Sequence, residues 1–448
     1  MVRMARLSPV AQPEEGMRGF LAELDETGEL THIHKEVSTR LEIAAVANKL
    51  DGKPLLFERV KDAEHYSVAT GVCASRDTLA RAIGVRREEL LGRVLEGIEH
   101  PKTPKVVGAA PCQEVVEERV ELSKIPVMTH FERDAGPYVT AGIVVAKDRD
   151  YGYNSSYHRL LVIGEDRVAV RILPRHLDEF VKRGDRDVGI AIGNHPAFLF
   201  ASAVSLEIGK SELAIANNLK EMSFVKCTTN EALVPAECEL VLEGEITDEL
   251  VDEGPFPDIV GSYDIMRKQR VIRIKRITHR TRPIYQAIIP GGSEHRFLMG
   301  TPREATIFRE VSKVCDCLDV RLTAGGSSWL HAVVKIRKRK EEDARNAMEA
   351  AFRGHPSVKH VVVVDEDIDL DDPTAAEWAI ATRAQLDHDL VLKPGEYGSS
   401  LDPSADQVTR KTCKAGIDAT IPIGASKDPF ERAKNPMEDR INLDDYLE

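Results

Sequence analysis

Apolar residues recur at helical spacing from Met17 to Glu26, where Phe20, Leu21 and Leu24 fall on one side. Glu42 to Leu50 and Arg76 to Ile83 also read as helices. Between them lie short strand-like runs, Pro54 to Phe57 and Tyr66 to Thr70, so the opening region predicts a small α/β unit, residues 1–105. It ends at the proline-bearing stretch Glu99 to Lys105. The middle third changes character. Tyr138 to Ala146, Arg159 to Ile163, Arg167 to Leu173, Phe198 to Val204, Glu239 to Ile246 and Val271 to Ile277 are short and β-rich. In the last of them Ile272 and Ile274 alternate with Arg273 and Lys275, the period of a half-buried strand. Many short strands separated by Gly, Pro and Asp predict a barrel or sandwich over 106–310, interrupted by helices at Lys210 to Leu219 and Thr301 to Val314. Strands at Leu330 to Ile336 and Val361 to Val364, with a helix from Glu341 to Phe352 between them, predict a second α/β unit over 311–448. After Pro394 the chain reads as a tail rich in Gly, Ser and Asp.

Composition narrows the partners. The 448 residues carry a formal net charge of −13, which argues against nucleic acid or an anionic membrane as the main partner. No apolar run approaches the roughly 20 residues that cross a bilayer, and the opening segment lacks the apolar stretch of a signal peptide, so the reading is cytoplasmic. The seven cysteines, Cys73, Cys112, Cys227, Cys238, Cys315, Cys317 and Cys413, are scattered without a CxxC pair. They read as free thiols rather than a disulfide framework.

Four places carry candidate chemistry. They are Asn154-Ser-Ser-Tyr-His-Arg159 with Arg171-Ile-Leu and Arg175-His176, then Glu212, then Glu253-Gly-Pro-Phe-Pro-Asp258, and last Lys414-Ala-Gly-Ile-Asp-Ala-Thr420. Each taken singly has a structural reading. Asn154 follows a Tyr-Gly-Tyr turn signal, His176 stands at the start of a helix, Glu212 sits near a helix N-terminus, and Glu253 to Asp258 is an acidic loop. Together an amide oxygen, an imidazole and a carboxylate make a metal site suited to Mn2+ or Mg2+ completed by phosphate, with no thiolate of the zinc or iron–sulfur kind. Arg171 and Arg175 are forks suited to phosphate oxygens. Glu253 and Asp258 near an arginine can keep one carboxylate ionised and another able to carry a proton.

On these motifs, with Asp367-Ile-Asp369, Glu377-Trp378-Ala379 and Thr382-Arg383, the chain resembles the UbiD family of prenylated-flavin decarboxylases along nearly its whole length. The resemblance implies a split β-barrel flavin domain between two α/β domains, and a homo-oligomer. It places Asn154, His176 and Glu212 around a Mn2+ or Mg2+ ion gripping the phosphate of prenylated FMN, with K+ nearby. Tyr157, His158, Arg159, Arg171, Ile172, Leu173, His176, Leu177 and Lys414 would contact the cofactor. Arg159, Glu253 and Asp258 would form the catalytic triad, with Pro257 standing where glycine is common. A flavin prenyltransferase would supply the cofactor.

The implied chemistry answers a physical problem. Loss of CO2 from an sp2 carbon leaves charge that no side chain can delocalise, so a cofactor must serve as electron sink. Arg159 is expected to hold the substrate carboxylate through a bidentate contact and Asp258 to return the proton, with Glu253 tuning both. The compact length and charged surface resemble the branch that converts trans-anhydromevalonate 5-phosphate to isopentenyl phosphate in the archaeal mevalonate route. His158, Arg267 and Lys268 are candidate contacts for its phosphate. An aromatic acid such as a 4-hydroxybenzoate derivative is the alternative substrate, and a non-catalytic flavin-binding scaffold the alternative of another class. No GxGxxG follows a strand, so hydride chemistry lacks support.

Overall fold

The computed structural model describes residues 15–433, 435–437 and 440–447. The segment 1–14, on which most of the leader reading rests, lies outside the described residues. The chain forms two compact units. One comprises residues up to Ala305 with 324–330 and 400–404; the other comprises Thr306–Thr323, His331–Ser399 and the chain from Ala405 on.

In the first unit a four-stranded sheet joins Thr31–Ile33, Leu55–Phe57, Ser67–Thr70 and Ile284–Gln286. The last strand comes from far along the chain and pairs in parallel with Ser67–Thr70. Early and middle segments are thereby interlocked. The helix Gly16–Glu26 buries Met17, Phe20, Leu21 and Leu24, as its spacing predicts. Arg18 on this helix reaches Glu239 through two bonds of 2.7 and 2.8 Å, and Glu239 also accepts from the Ile284 amide at 3.0 Å. Glu239 is wholly buried. Gly193, at φ +77°, lets it pass: a Cβ there would stand 2.4 Å from the Glu239 side chain.

The large sheet of this unit has nine strands. Its main path runs Tyr138–Val139, Leu160–Val162, Arg167–Val170, Arg267–His279, Leu240–Glu253, Asp187–Ile192, Ile143–Asp148 and Gly152–Tyr157, with Val115–Glu117 attached to Arg267–His279. The path is open: among the described residues no ladder joins its two ends, so the expected barrel closure is absent from the strand pairing. Both faces are covered. Val144, Val188, Ile190 and Leu242 pack on one side, while Ile143, Val145, Ala191 and Val241 pack on the other.

Three expectations are corrected here. Phe198 to Val204 is no strand; Pro196–Ala201 is a helix with every residue buried. Its apolar run is continuous because all sides face protein, and Pro196 at its first turn favours helix over sheet. Tyr138 to Ala146 is broken into two strands, and Asn154 lies within a strand rather than a loop.

The second unit holds a five-stranded sheet in the order Asp316–Leu322, His331–Arg337, His360–Val364, Lys411–Ala419, Leu390–Tyr397. Alternation in His360–Val364 sends Val361 and Val363 toward the helix Asp343–Gly354, and Val362 and Val364 toward Ala375–Arg383. Arg383 pairs with Asp365 at 3.0 Å and Asp367 at 2.6 Å, and Trp378 lies against both Arg383 and Arg432. The expected tail after Pro394 instead completes the strand Leu390–Tyr397 and supplies Lys411–Ala419, with Gly398, Ser399, Ser400 and Ser404 between them.

Arg18→Met strips Glu239 of its buried countercharge. The expected loss is about 3 kcal/mol or more, as for other broken buried pairs. It is read as a lower thermal unfolding midpoint, and an unchanged midpoint contradicts the anchoring role.

Candidate active site

Glu253 ends the long strand Leu240–Glu253 and is fully buried. Arg159 donates to it as a fork, Nε to Oε1 at 2.8 Å and Nη2 to Oε2 at 2.9 Å. The Tyr138 hydroxyl donates to Oε1 at 3.1 Å, and the Tyr138 ring stacks on Phe256 with centroids 3.8 Å apart. Burial opposes the charge on Arg159, yet Glu253, Asp258 and Asp264 more than offset it and raise the arginine's pKa. The guanidinium stays charged.

Asp258 and Asp264 complete the group. Phe256–Pro257 pairs with Tyr263–Asp264, and the turn between them is closed by Asp258 N–H to Ser262 O and Gly261 N–H to Asp258 O. Asp264 accepts from Arg159 Nη2 at 3.2 Å and meets Arg267 Nη1 at 2.5 Å. Asp258 Oδ2 lies 3.6 Å from Arg159 Nη1, too far for a hydrogen bond, and its Oδ1 accepts from the Ile259 amide at 2.7 Å. Arg159 Nη1 is therefore buried without a hydrogen-bond partner. Glu253 already occupies the fork, which leaves Nη1 as the open edge of the guanidinium.

A second group lies on the strand Gly152–Tyr157 and the helix Glu212–Leu219. The Asn154 amide nitrogen donates to both oxygens of Glu212 at 3.2 Å, and the Ser155 amide donates to Oε2 at 3.0 Å. Burial raises the Glu212 carboxyl to about 7, against the partial relief of these donors. His158 Nδ1 stands 2.8 Å from the Arg171 carbonyl, which can only accept, so Nδ1 carries the proton. Burial holds the ring neutral, at about 4, so Nε2 takes the Ser156 hydroxyl proton at 3.0 Å. That leaves Asn154 Oδ1 with no donor from Ser156, although the two stand 3.2 Å apart. An open amide oxygen beside a buried carboxyl with a raised pKa is a donor set that fits a divalent cation.

His176 opens the helix His176–Lys182, and the backbone of Leu206, in the segment leading to Glu212, favours its charged form. Burial and Arg175 keep it neutral. No hydrogen bond joins it to Asn154 or Glu212, and among the described residues no three His, Cys, Asp or Glu side chains are grouped for a metal. Among the expected cofactor contacts, the Tyr157 hydroxyl is buried without a partner, Ile172 is half-buried, Leu173 is exposed and Leu177 belongs to the core. Lys414, in the second unit, donates to the Pro356 carbonyl at 2.6 Å and lies over Phe352.

Three family descriptions follow one another along the chain. The 3-octaprenyl-4-hydroxybenzoate carboxy-lyase N-terminal domain matches residues 21–98, its Rift-related domain 105–293 and its C-terminal domain 296–419. The chain belongs to the UbiD family. It is 40% identical over 426 residues to the anhydromevalonate phosphate decarboxylase of Methanothermobacter thermautotrophicus, covering 93% of this chain and 99% of that one. Identity to the anhydromevalonate phosphate decarboxylase of Methanosarcina mazei is 43% over 430 residues, with 94% and 99% covered. The UbiD-class enzyme HmfF from Pelotomaculum thermopropionicum, solved with FMN, superposes at a TM-score of 0.93 with 40% identity, covering 97% of this chain and all of that one. An evolved dimeric form of HmfF solved with prenylated FMN gives 0.89 at 39% identity, covering 96% of this chain and all of that one. The fold is UbiD-class, mixed α/β and multi-domain.

Within this UbiD fold, sequence reasoning missed Tyr138, Asp264 and His295. His295 Nδ1 accepts from the Gly291 amide at 3.1 Å, and Asp258 and Arg159 both act on its charge. Asp264 sits in a Gly-Ser-Tyr-Asp stretch that reads as an ordinary turn. Only the pairing of Tyr263–Asp264 with Phe256–Pro257 brings it to Arg159.

Glu212 generates a pH test. Its folded pKa near 7 exceeds the ordinary 4.5, so its contribution to stability is complete below about 4.5 and disappears as pH rises past about 7. Glu294, raised likewise to about 7, adds to the same window. Glu212→Gln should remove part of this loss. Added Mn2+ should raise the wild-type unfolding midpoint more at about pH 8 than at about pH 6, since the ligand must be ionised. Equal stabilisation of Glu212→Gln by Mn2+ counts against Glu212 as a ligand.

Proposed function

We propose that this protein removes CO2 from trans-anhydromevalonate 5-phosphate to give isopentenyl phosphate, using prenylated FMN. It is a carboxy-lyase of the UbiD family. The observation that carries the reading is Arg159: a charged guanidinium fixed by Glu253, with one buried N–H edge left open beside Asp258. Curated relatives at about 40% identity, named as anhydromevalonate phosphate decarboxylases, support the choice of acid. The buried Arg159–Glu253 pair, with Arg159 Nη1 left without a partner, speaks against a non-catalytic scaffold, because a buried ion pair with an open N–H is costly to keep.

Asn154, Glu212 and His176 would hold Mn2+ or Mg2+, with K+ beside it, and so the cofactor's phosphate. Tyr157, His158, Arg159, Ile172 and Leu173 would flank a flavin on the nine-stranded sheet, the side chain of Arg171 standing apart from it. When bound, prenylated FMN supplies the electron sink that decarboxylation at an unsaturated carbon needs. Glu253 keeps Arg159 oriented through its fork. Arg159 Nη1 receives one oxygen of the substrate carboxylate and fixes its position. Asp258, partly open to solvent at 28% of its side chain, delivers a proton to the carbon that loses CO2 and regains one from water. The reading includes a cytoplasmic homo-oligomer and a separate flavin prenyltransferase as supplier.

The reconstituted enzyme is expected to release CO2 from trans-anhydromevalonate 5-phosphate and not from 4-hydroxybenzoate; the reverse preference rejects the substrate assignment. Asp258→Asn should cut kcat by about 100-fold or more while flavin absorbance is retained. Arg159→Lys should lose turnover comparably, because one ammonium cannot hold Glu253 as a fork and also meet substrate. Wild-type turnover in either variant rules out the corresponding role.

A further inference from the structure

We propose that Arg171 is the subsite for a second anionic group on the substrate, a phosphomonoester dianion. The inference rests on the proposed function and names the residues that read the substrate's far end.

Arg171 is an arginine in a spare position. Its side chain is only 18% exposed, and among the described residues it donates no side-chain hydrogen bond; its recorded ion-pair partner is Asp264 Oδ2 at 3.9 Å. That same oxygen accepts from Arg159 Nη2 at 3.2 Å, and Asp264 Oδ1 is occupied by Arg267. Glu253 answers the charge of Arg159, which leaves Asp264 shared among three guanidiniums. Burial disfavours the charge on Arg171, and Arg267 adds repulsion, so the guanidinium's pKa is lowered. A dianion placed against Arg171 would relieve both and gain charge-assisted hydrogen bonds.

Two phosphates compete for this role, one on the substrate and one on the flavin tail. Distance separates them. The two contacts to Asp264 Oδ2 place Arg159 Nη2 and Arg171 Nε at most about 7 Å apart. In the proposed reading Arg159 would hold the reacting carboxylate at the flavin's reactive end, whereas Asn154, Glu212 and His176 would hold the flavin phosphate elsewhere. A short unsaturated acid spans the gap with a carboxylate at one end and a phosphate at the other. The other cations considered from sequence are engaged. Lys268 is an exposed partner of Asp252 at 3.0 Å, and His158 is neutral between Ser156 and the Arg171 carbonyl.

The test uses flavin-loaded wild type, Arg171→Met and Arg171→Lys, assayed on trans-anhydromevalonate 5-phosphate and on the same acid without its phosphate. Arg171→Met should lower the ratio of kcat/KM for the phosphorylated over the unphosphorylated acid by about 100-fold, chiefly through KM, with bound flavin unchanged by absorbance. Arg171→Lys should lower it less. Inorganic phosphate should raise the wild-type unfolding midpoint and do so less in Arg171→Met. An unchanged ratio, or loss of bound flavin in Arg171→Met, overturns the assignment. Should wild type act on neither acid, the proposed function fails by itself. The phosphate effect on the midpoint then decides the subsite: a shift reduced in Arg171→Met supports it, and an equal shift in both proteins overturns it.

Discussion

The buried fork between Arg159 and Glu253 is the constraint around which the rest of the centre is arranged. Two opposite charges taken out of water are stable only where geometry is good and the remaining lone pairs are satisfied. Here the second condition is met by the Tyr138 hydroxyl on Glu253 and by Asp264 on Arg159. The stacked ring of Phe256 then fixes Tyr138. Glu253 is held in register because it closes a long antiparallel ladder, in which it stands opposite Arg267. The scaffold thus specifies the direction of a guanidinium, and the direction specifies which N–H is left for chemistry.

The second group depends on the same low-polarity setting. An amide and a carboxyl facing each other in a buried strand–helix junction form a modest hydrogen-bonded pair in a bare chain. Glu212 then tends toward its neutral form, which is a poor resting state for a residue already supplied with three N–H donors. A cation would restore the ionised form. In the proposed metal role, the same electrostatics would tie cofactor retention to the protonation of one side chain.

Much of this was legible in the amino-acid order, and the remainder was not, for physical reasons. Helical spacing pointed to Met17 to Glu26 and good helix formers to Glu341 to Phe352, close to the observed Gly16–Glu26 and Asp343–Gly354, while period-two alternation found Val271 to Ile277, the inner part of the strand Arg267–His279. Pro196–Ala201 misread as a strand because a helix buried on all sides has no polar face to reveal its period. The residue types around Arg159 pointed to Glu253 and Asp258, which stand close together in a rigid turn. Asp264 was invisible: its function comes from a hairpin pairing that no local pattern announces. Nor can sequence tell that the fork of Arg159 is already filled by a carboxylate of its own protein, Glu253.

The parallel pairing of Ile284–Gln286 with Ser67–Thr70 has a consequence for biosynthesis. On the ribosome, the early strands emerge long before the strand that completes their sheet. Until then the Ser67–Thr70 edge is an unpaired template, of the kind that recruits other chains. The nascent polypeptide must bridge a loop of more than two hundred residues before that edge is sealed, which makes the pairing a late and slow event in assembly. Separating the opening region as a fragment would leave the same edge permanently exposed.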